Sequence, residues 1–346
     1  MKFSHKYIIV GAGSAGCVLA NKLSEDPKNS VLLIEAGPLD SSYSIKMPLA
    51  ASSLFKSKKY GWGYETEPEK NLNNRTINWP RGKTLGGSSS INGMLYVRGQ
   101  ADDYDNWEQL GNNGWGYRDL LKYFSALDNN QKNEDQFHGN FGPLGVETFQ
   151  PFLDASKQFL KACSEFGFKN NNDFNGTDQE GFGQYQVNIK NGKRFSAADA
   201  FLKPILNRPN LDILTNTLVE KIIISNKKVI GVKISNKKFS GVIGCSSELI
   251  LSGGSINSPQ ILMLSGIGPK NHLKKYQIAL VHDLPGVGQN LQDHLTVNLS
   301  YKVNELKTFS ELMKPFSMVR NFYEYFIKDT GLMTYPASDI GVFFKT

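Results

Sequence analysis

A glycine triplet spaced Gly11-x-Gly13-x-x-Gly16 follows directly on the apolar run Tyr7-Ile8-Ile9-Val10. Gly11 permits a tight turn out of a strand, Gly13 lets backbone approach a pyrophosphate, and Gly16 lets the next helix pack closely. Ser14 and Ala15 lie at the start of that helix, where unpaired amides and the positive end of the dipole stabilise phosphate. Ala15–Ser24 has a helical pattern with Val18, Leu19 and Leu23 toward the sheet, and Glu25-Asp26-Pro27 ends it. Val31–Ile34 is a second wholly apolar strand, of the kind buried on both faces in a parallel sheet. Glu35, followed by Ala36, comes 19 residues after Gly16. A carboxylate there accepts both ribose hydroxyls of an adenosine and repels a 2′-phosphate. The unit is β-α-β and the class α/β. It does not choose between a flavin and a nicotinamide dinucleotide.

A second glycine-rich stretch weighs toward flavin: Arg81-Gly82-Lys83-Thr84-Leu85-Gly86-Gly87-Ser88-Ser89-Ser90-Ile91-Asn92-Gly93. Arg81 can bridge phosphate charge, and the Gly86-Gly87 pair lets main chain come close to a flat ring system. Ser88–Ser90 and Asn92 offer partners for the polar edge of an isoalloxazine. A structural loop rich in Gly and Ser is the rival reading of this stretch taken by itself.

A chain of 346 residues, 40% hydrophobic, is long enough for about two domains with a full core. Its net charge of +7 sits in short runs such as Lys56-Ser57-Lys58-Lys59, Lys227-Lys228, Lys237-Lys238 and Lys274-Lys275. These read as solvated loops, with a membrane-surface patch as the rival. Interleaved aromatics and a nucleic-acid motif are both lacking, so no nucleic-acid partner is expected. Cys17, Cys163 and Cys245 lie far apart without metal-ligand spacing, so no metal is expected and the thiols read as buried and reduced. The N-terminal residues run into a strand without an apolar signal segment, and no stretch approaches the roughly 20 apolar residues of a spanning helix. The location expected is cytoplasmic, with peripheral contact at the inner membrane face as the secondary expectation.

Along the rest of the chain, 38–80 reads as an excursion over the nucleotide domain. Helices are expected at Asp119–Leu127, Pro151–Phe166 and Ala197–Leu206, with a polar loop at Asp128–Phe141. Gln184–Ile189 followed by Asn191-Gly192 predicts a hairpin with a primed turn. Strands at Leu211–Leu214, Leu218–Ile224, Val229–Ile234 and Glu248–Leu251 follow too closely for helices between them, which predicts an antiparallel meander beside the parallel sheet. Ser258 and Pro259 are expected to cap and open a helix running through Leu264. Gly341–Thr346 looks like a strand just begun, its sheet expected to stop at Phe343-Phe344 with an apolar edge unpaired.

Three long motifs then carry a resemblance. Trp79–Met94, Gly253-Gly254-Ser255-Ile256-Asn257-Ser258-Pro259-Gln260-Ile261-Leu262 with Ser265-Gly266-Ile267-Gly268, and Leu284-Pro285-Gly286-Val287-Gly288-Gln289-Asn290-Leu291-Gln292-Asp293-His294 resemble signatures of the glucose–methanol–choline oxidoreductases. The resemblance implies FAD, a Rossmann-type FAD-binding domain, and a substrate domain whose sheet roofs the flavin. It implies FAD contacts at Gly11, Gly13, Ser14, Ala15, Gly16, Glu35, Ala36, Arg81, Gly82, Gly86, Asn92, Gly93, Met94 and Val219. Some relatives tether the flavin through a histidine where this chain has Ile91, so a dissociable cofactor is expected.

One departure matters. The family's His-Pro-x-Gly-Thr motif, whose histidine takes the alcohol proton, matches none of His5, His138, His272, His282 or His294. His294 lies in a motif of the flavin domain and reads as structural, so no catalytic residue is assigned. The expected organisation is an FAD-binding domain over 1–300 and the beginning of an incomplete α+β substrate domain over 301–346. The activity implied is oxidation of a primary alcohol, choline-like or aliphatic, to an aldehyde, with electrons passing to a quinone or other acceptor. The alternatives are a flavin-binding subunit that needs a C-terminal partner, and a nicotinamide dehydrogenase.

Overall fold

The computed structural model describes residues 4–130, 135–149, 153–303, 306 and 308–345. Part of the expected polar loop, 131–134, and the first two residues of the expected helix Pro151–Phe166 lie outside them. The chain packs as two units, one of 1–40, 55–91 and 196–299, the other of 41–54, 92–195 and 300–346.

The first unit is built on β1 (Ser4–Val10), α1 (Ser14–Leu23), β2 (Val31–Ile34), β3 (Leu211–Leu214), β4 (Leu218–Ser225), β5 (Lys228–Ser235), β6 (Ser240–Leu251) and α2 (Gly254–Leu264). Its six strands lie in the order β3-β2-β1-β6-β5-β4. β1 runs parallel to β2, with Tyr7 opposite Val31 and Val10 opposite Ile34. It also runs parallel to the second half of β6, with Tyr7 opposite Glu248 and Val10 opposite Leu251. The first part of β6 and all of β4 and β5 pair antiparallel. One long strand therefore belongs to both the parallel and the antiparallel part.

The four-strand meander is corrected to three. β3 pairs parallel with β2, Leu211 opposite Val31, at the far edge. Side-chain anchors just before the strand explain why. The Arg208 guanidinium donates to the Asn21 carbonyl and Ser24 hydroxyl, and Asn210 Nδ2 donates to the carbonyls of Ser24, Asp26 and Asn29. These bonds tie the approach to the end of α1 and deliver β3 beside β2.

Alternation sets the core. Ile8, Val10, Leu32 and Ile34 share one face with Ile222, Val232, Ile234 and Ile243, and Ile261 of α2 covers them. Burying each such side chain contributes roughly 1.5–3 kcal/mol. Ile9, on the opposite face, meets Gly16 of α1. α2 begins at Gly254, not Ser258, and Pro259 lies inside it. Gly254, at φ +81°, makes the turn directly off β6, and Ser258 Oγ accepts from the Gly253 amide instead of capping a later start. The expected helix 197–206 is a wide turn at Ala198–Leu202 followed by a tight one at Lys203–Ile205. Pro204 removes a donor there and breaks regularity.

In the second unit, Leu95–Tyr96, Gln186–Val187, Leu144–Thr148 and Asp128–Asn130 form a small sheet in that order. Asp128–Asn130, expected to be loop, thus pairs with Leu144–Val146. Ile189–Lys190 and Lys193–Arg194 form the expected hairpin, with Asn191 and Gly192 both at positive φ as a primed turn requires. Helices occupy Tyr117–Leu127 and Asp154–Phe166. Ile340–Phe343 pairs antiparallel with Gly181–Gln184, so the apolar run at 340–343 has a partner strand, contrary to expectation. This pairing, with the edge-on ring contacts of Tyr335 with Phe149 and Phe309, draws 92–195 together with 300–345. The division therefore departs from the contiguous boundary expected at 300.

Candidate dinucleotide site

A cavity of about 1000 Å³ opens in the first unit where β1, β2 and β6 end, lined there by Val10-Gly11, Ile34-Glu35 and Leu251-Ser252-Gly253. The chain leaves β1 toward β2 on one side while β6 flanks β1 on the other. Ligands of open α/β sheets bind at such a reversal, outside the carboxyl ends of the strands.

The glycines of the first loop have separate roles. A Cβ at Gly16 would lie 1.9 Å from the Gly11 carbonyl oxygen, and one at Gly11 would lie 2.5 Å from the Ser252 carbonyl oxygen. Both positions are closed to any side chain. A Cβ at Gly13 would meet only the Ser252 oxygen at 3.9 Å, so its open side faces the cavity it lines. α1 starts immediately beyond, and its first amides have no partner within the helix. Pyrophosphate would occupy that position.

The second glycine loop lies directly on the first. The Gly86 amide donates to the Ala12 carbonyl at 2.8 Å, and a Cβ on Gly87 would come within 2.7 Å of Gly13 Cα. Gly82 is pressed on the Gly87 carbonyl, where a Cβ would sit at 2.2 Å. Ser88 lines the cavity and accepts from the Gly82 amide. Ser89 and Ser90, expected to address a ring edge, serve the loop itself: their hydroxyls donate to the carbonyls of Gly86 and Leu85.

Glu35 is 5% exposed. Its Oε2 accepts from the Ala12 amide and its Oε1 from the Gly37 amide, each at 2.9 Å. Each oxygen keeps a further lone pair for a hydroxyl donor. Burial pushes the carboxyl up to about 7, against the pull of the Gly37 and Ala12 amides and the charge of Lys83.

An antiparallel ribbon forms another wall. Tyr64 pairs with Trp79, Glu65 with Asn78 and Gly61 with Gly82. Trp62, Tyr64 and Arg81 line the cavity from it. Arg81 Nη2 lies 3.9 Å from Asp293, while its Nε is buried with no hydrogen-bond partner among the described residues.

Of the residues expected from sequence, Gly11, Gly13, Ser14, Ala15, Glu35, Ala36, Arg81, Gly82 and Val219 line this cavity. Gly16 and Gly86 act behind it, by packing. Asn92, Gly93 and Met94 belong to the second unit. There Asn92 Oδ1 accepts from Arg194 and from the Met94 amide, a Cβ on Gly93 would sit 2.5 Å from Ala337 Cβ, and Met94 is buried. Sequence reasoning missed Trp62, Tyr64 and the start of α2 at Gly253–Ser258 as lining. Strand, glycine pair, helix recurs there, as it does after β1, and was a readable signal. The aromatics gave none beyond their alternate spacing.

The chemistry of the donors fits a dinucleotide: free helix amides and an arginine for phosphates, a buried carboxylate for ribose, and space beside Gly13. None of the five histidines lines the cavity. His5 bonds Asp212, His138 lies between Asp128 and Asp173, and His272, His282 and His294 are exposed. Cys17, Cys163 and Cys245 are all buried free thiols. No helix among the described residues is long and apolar enough to cross a membrane.

Fold and site together define a Rossmann-type dinucleotide-binding protein. Residues 5–296 match the sequence profile of the family described as GMC oxidoreductase. The chain is 45% identical to an alcohol dehydrogenase [acceptor] of Pseudomonas putida, over 99% of this chain and 63% of that protein. It is 44% identical to an oxygen-dependent choline dehydrogenase of Brucella ovis, over 94% of this chain and 59% of that one. Its fold is similar to that of an FAD-dependent oxidoreductase from Chaetomium thermophilum, with a TM-score of 0.87 and 31% identity, covering 97% of this chain and 61% of that one. The chain belongs to the GMC oxidoreductase family. It spans less than two thirds of the length of these relatives.

Proposed function

We propose that this chain is the cofactor-holding portion of an FAD-dependent alcohol dehydrogenase. The reaction is oxidation of a primary alcohol, choline-like or aliphatic, to an aldehyde, with electrons delivered to a quinone or another acceptor. The observation that carries this reading is the single cavity that gathers the open side of Gly13, the free amides of α1 and the buried Glu35. FAD, when bound, supplies a two-electron acceptor for the hydride of the carbinol carbon.

The chain's own residues hold that group. The α1 amides and Arg81 offset the pyrophosphate charge, Glu35 accepts the adenosine ribose hydroxyls, and Val219 and Ala36 supply apolar wall. The family resemblance adds Asn92, Gly93 and Met94 beside the ring system. Ile91, buried and without a nucleophilic atom, supports a dissociable cofactor.

The hydroxyl proton is assigned to no residue of this chain, because none of its five histidines stands in the family's His-Pro-x-Gly-Thr motif. That observation favours a second reading: a flavin-binding subunit that needs a partner segment to turn over. Purified chain should show flavin absorbance that denaturation releases, and Gly13→Val should abolish it by filling the pyrophosphate position. A colourless protein that binds NADH instead would overturn the FAD reading.

A further inference from the structure

Arg194 ends the hairpin of the second unit, opposite Ile189, and is only 2% exposed. A guanidinium stays charged at any ordinary pH and presents donors alone. Its Nε donates to the Ile45 carbonyl at 2.9 Å, and its Nη1 donates to Asn92 Oδ1 at 2.8 Å. The group is thus anchored on segment 41–54 while it grips the side chain of Asn92.

A second donor meets the same oxygen. The Met94 amide donates to Asn92 Oδ1 at 3.1 Å, closing a turn in which buried Met94 adopts φ +64°. A methionine keeps such a backbone only where its surroundings over-determine it. Here the Gly93 carbonyl accepts from the Ala337 amide and the Met94 carbonyl from the Asn188 amide. The loop 92–94 is therefore fixed on several sides. Two donors converging on one atom also decide which end of the Asn92 amide they meet, because an NH₂ group there would set donors against donors. Nδ2 is left at the other end, on an exposed residue and without a hydrogen-bond partner among the described residues.

We propose that Arg194 is a positioning residue that locks the Asn92 amide so that Nδ2 is offered as a donor to the polar edge of the flavin ring. The proposal rests on reading Asn92 as a residue beside that ring. A donor held there favours a ring acceptor, and favours it more as the ring gains electrons, because hydrogen bonds to charged acceptors are the stronger ones.

Titration of the flavin-free chain with FAD and ADP, together with the midpoint potential of bound FAD, tests this. Asn92→Asp keeps an oxygen for Arg194 and Met94 but turns an acceptor outward. It should weaken FAD by about 5- to 100-fold, lower the potential, and leave ADP, which has no flavin ring, unaffected. Asn92 is exposed, so this variant does not disturb a core. Arg194→Met releases the amide and should shift FAD affinity and potential in the same directions. Where that variant does not fold, Arg194→Lys, which keeps the charge without the planar fork, should show the same shifts at smaller size. An effect of Asn92→Asp with none in a folded Arg194 variant would overturn the role of Arg194. FAD and ADP weakened alike would mark a structural role and overturn the proposal, as would unchanged FAD affinity and potential throughout. Native protein that binds neither FAD nor ADP would instead overturn the underlying FAD reading.

Discussion

Glu35 joins position to titration. Its buried carboxyl, pushed up to about 7, is protonated in the empty site at mildly acid pH. Ribose hydroxyls donate to the ionised form, so FAD should bind more tightly as pH rises from about 5.5 through 7, then level off. Glu35→Gln should flatten that profile, as read by flavin fluorescence titration. The linkage to folding has the opposite sense. The native carboxyl keeps its proton to higher pH than the unfolded one, so in the empty protein this group costs stability as pH rises from 4.5 to about 7. Glu35→Ala should reduce FAD retention by about 1.5–3 kcal/mol, the range for hydrogen bonds to a charged acceptor; unchanged affinity would dissociate Glu35 from ribose. This residue was legible because a fixed run of helix and strand carries it from Gly16 to the end of β2. Trp62 was not, because its place in the wall follows from strand pairing with 78–82.

The two glycine loops act as one element. Each was readable as a phosphate loop, but their mutual contact, Gly86 to Ala12 and Gly87 on Gly13, joins residues over 70 positions apart. Gly87→Ala adds a side chain at φ +55° and drives it onto Gly13. It should cost at least about 1–2 kcal/mol and release flavin faster, with thermal melting and flavin dissociation as the measurements. A different element steadies the second unit. His138, 3% exposed, lies between Asp128 and Asp173, and Arg98 also bonds Asp128. Burial opposes the imidazolium, but hydrogen bonds to the two carboxylates outweigh it and raise its pKa to about 9. Its stabilisation is complete below about 6.5 and disappears as pH rises through 9. Melting temperature should fall across that window in the native chain and much less in His138→Gln. Sequence showed only a polar loop here, since the partners come from 98, 128 and 173.

At the scale of the molecule, the outcome most at risk is turnover. Residues 1–346 should retain flavin yet fail to reduce a dye with choline or medium-chain alcohols, because general-base catalysis typically contributes 10²–10⁴-fold and no histidine of the chain matches the proton-accepting one of the family motif. Robust turnover lost in His294→Ala would return the base to that exposed residue. The sequence by itself determined the β-α-β unit, its glycine loop, the carboxylate that ends β2 and the family, because these depend on local spacing. It also determined the primed hairpin at 189–194, where Asn-Gly tolerates positive φ. Only the tertiary structure decided that β3 joins β2, that β6 unites the parallel and antiparallel strands, and that 92–195 pack with 300–345. Each of those depends on which distant edge offers free backbone groups and a matching apolar face, and short-range pattern does not encode that choice.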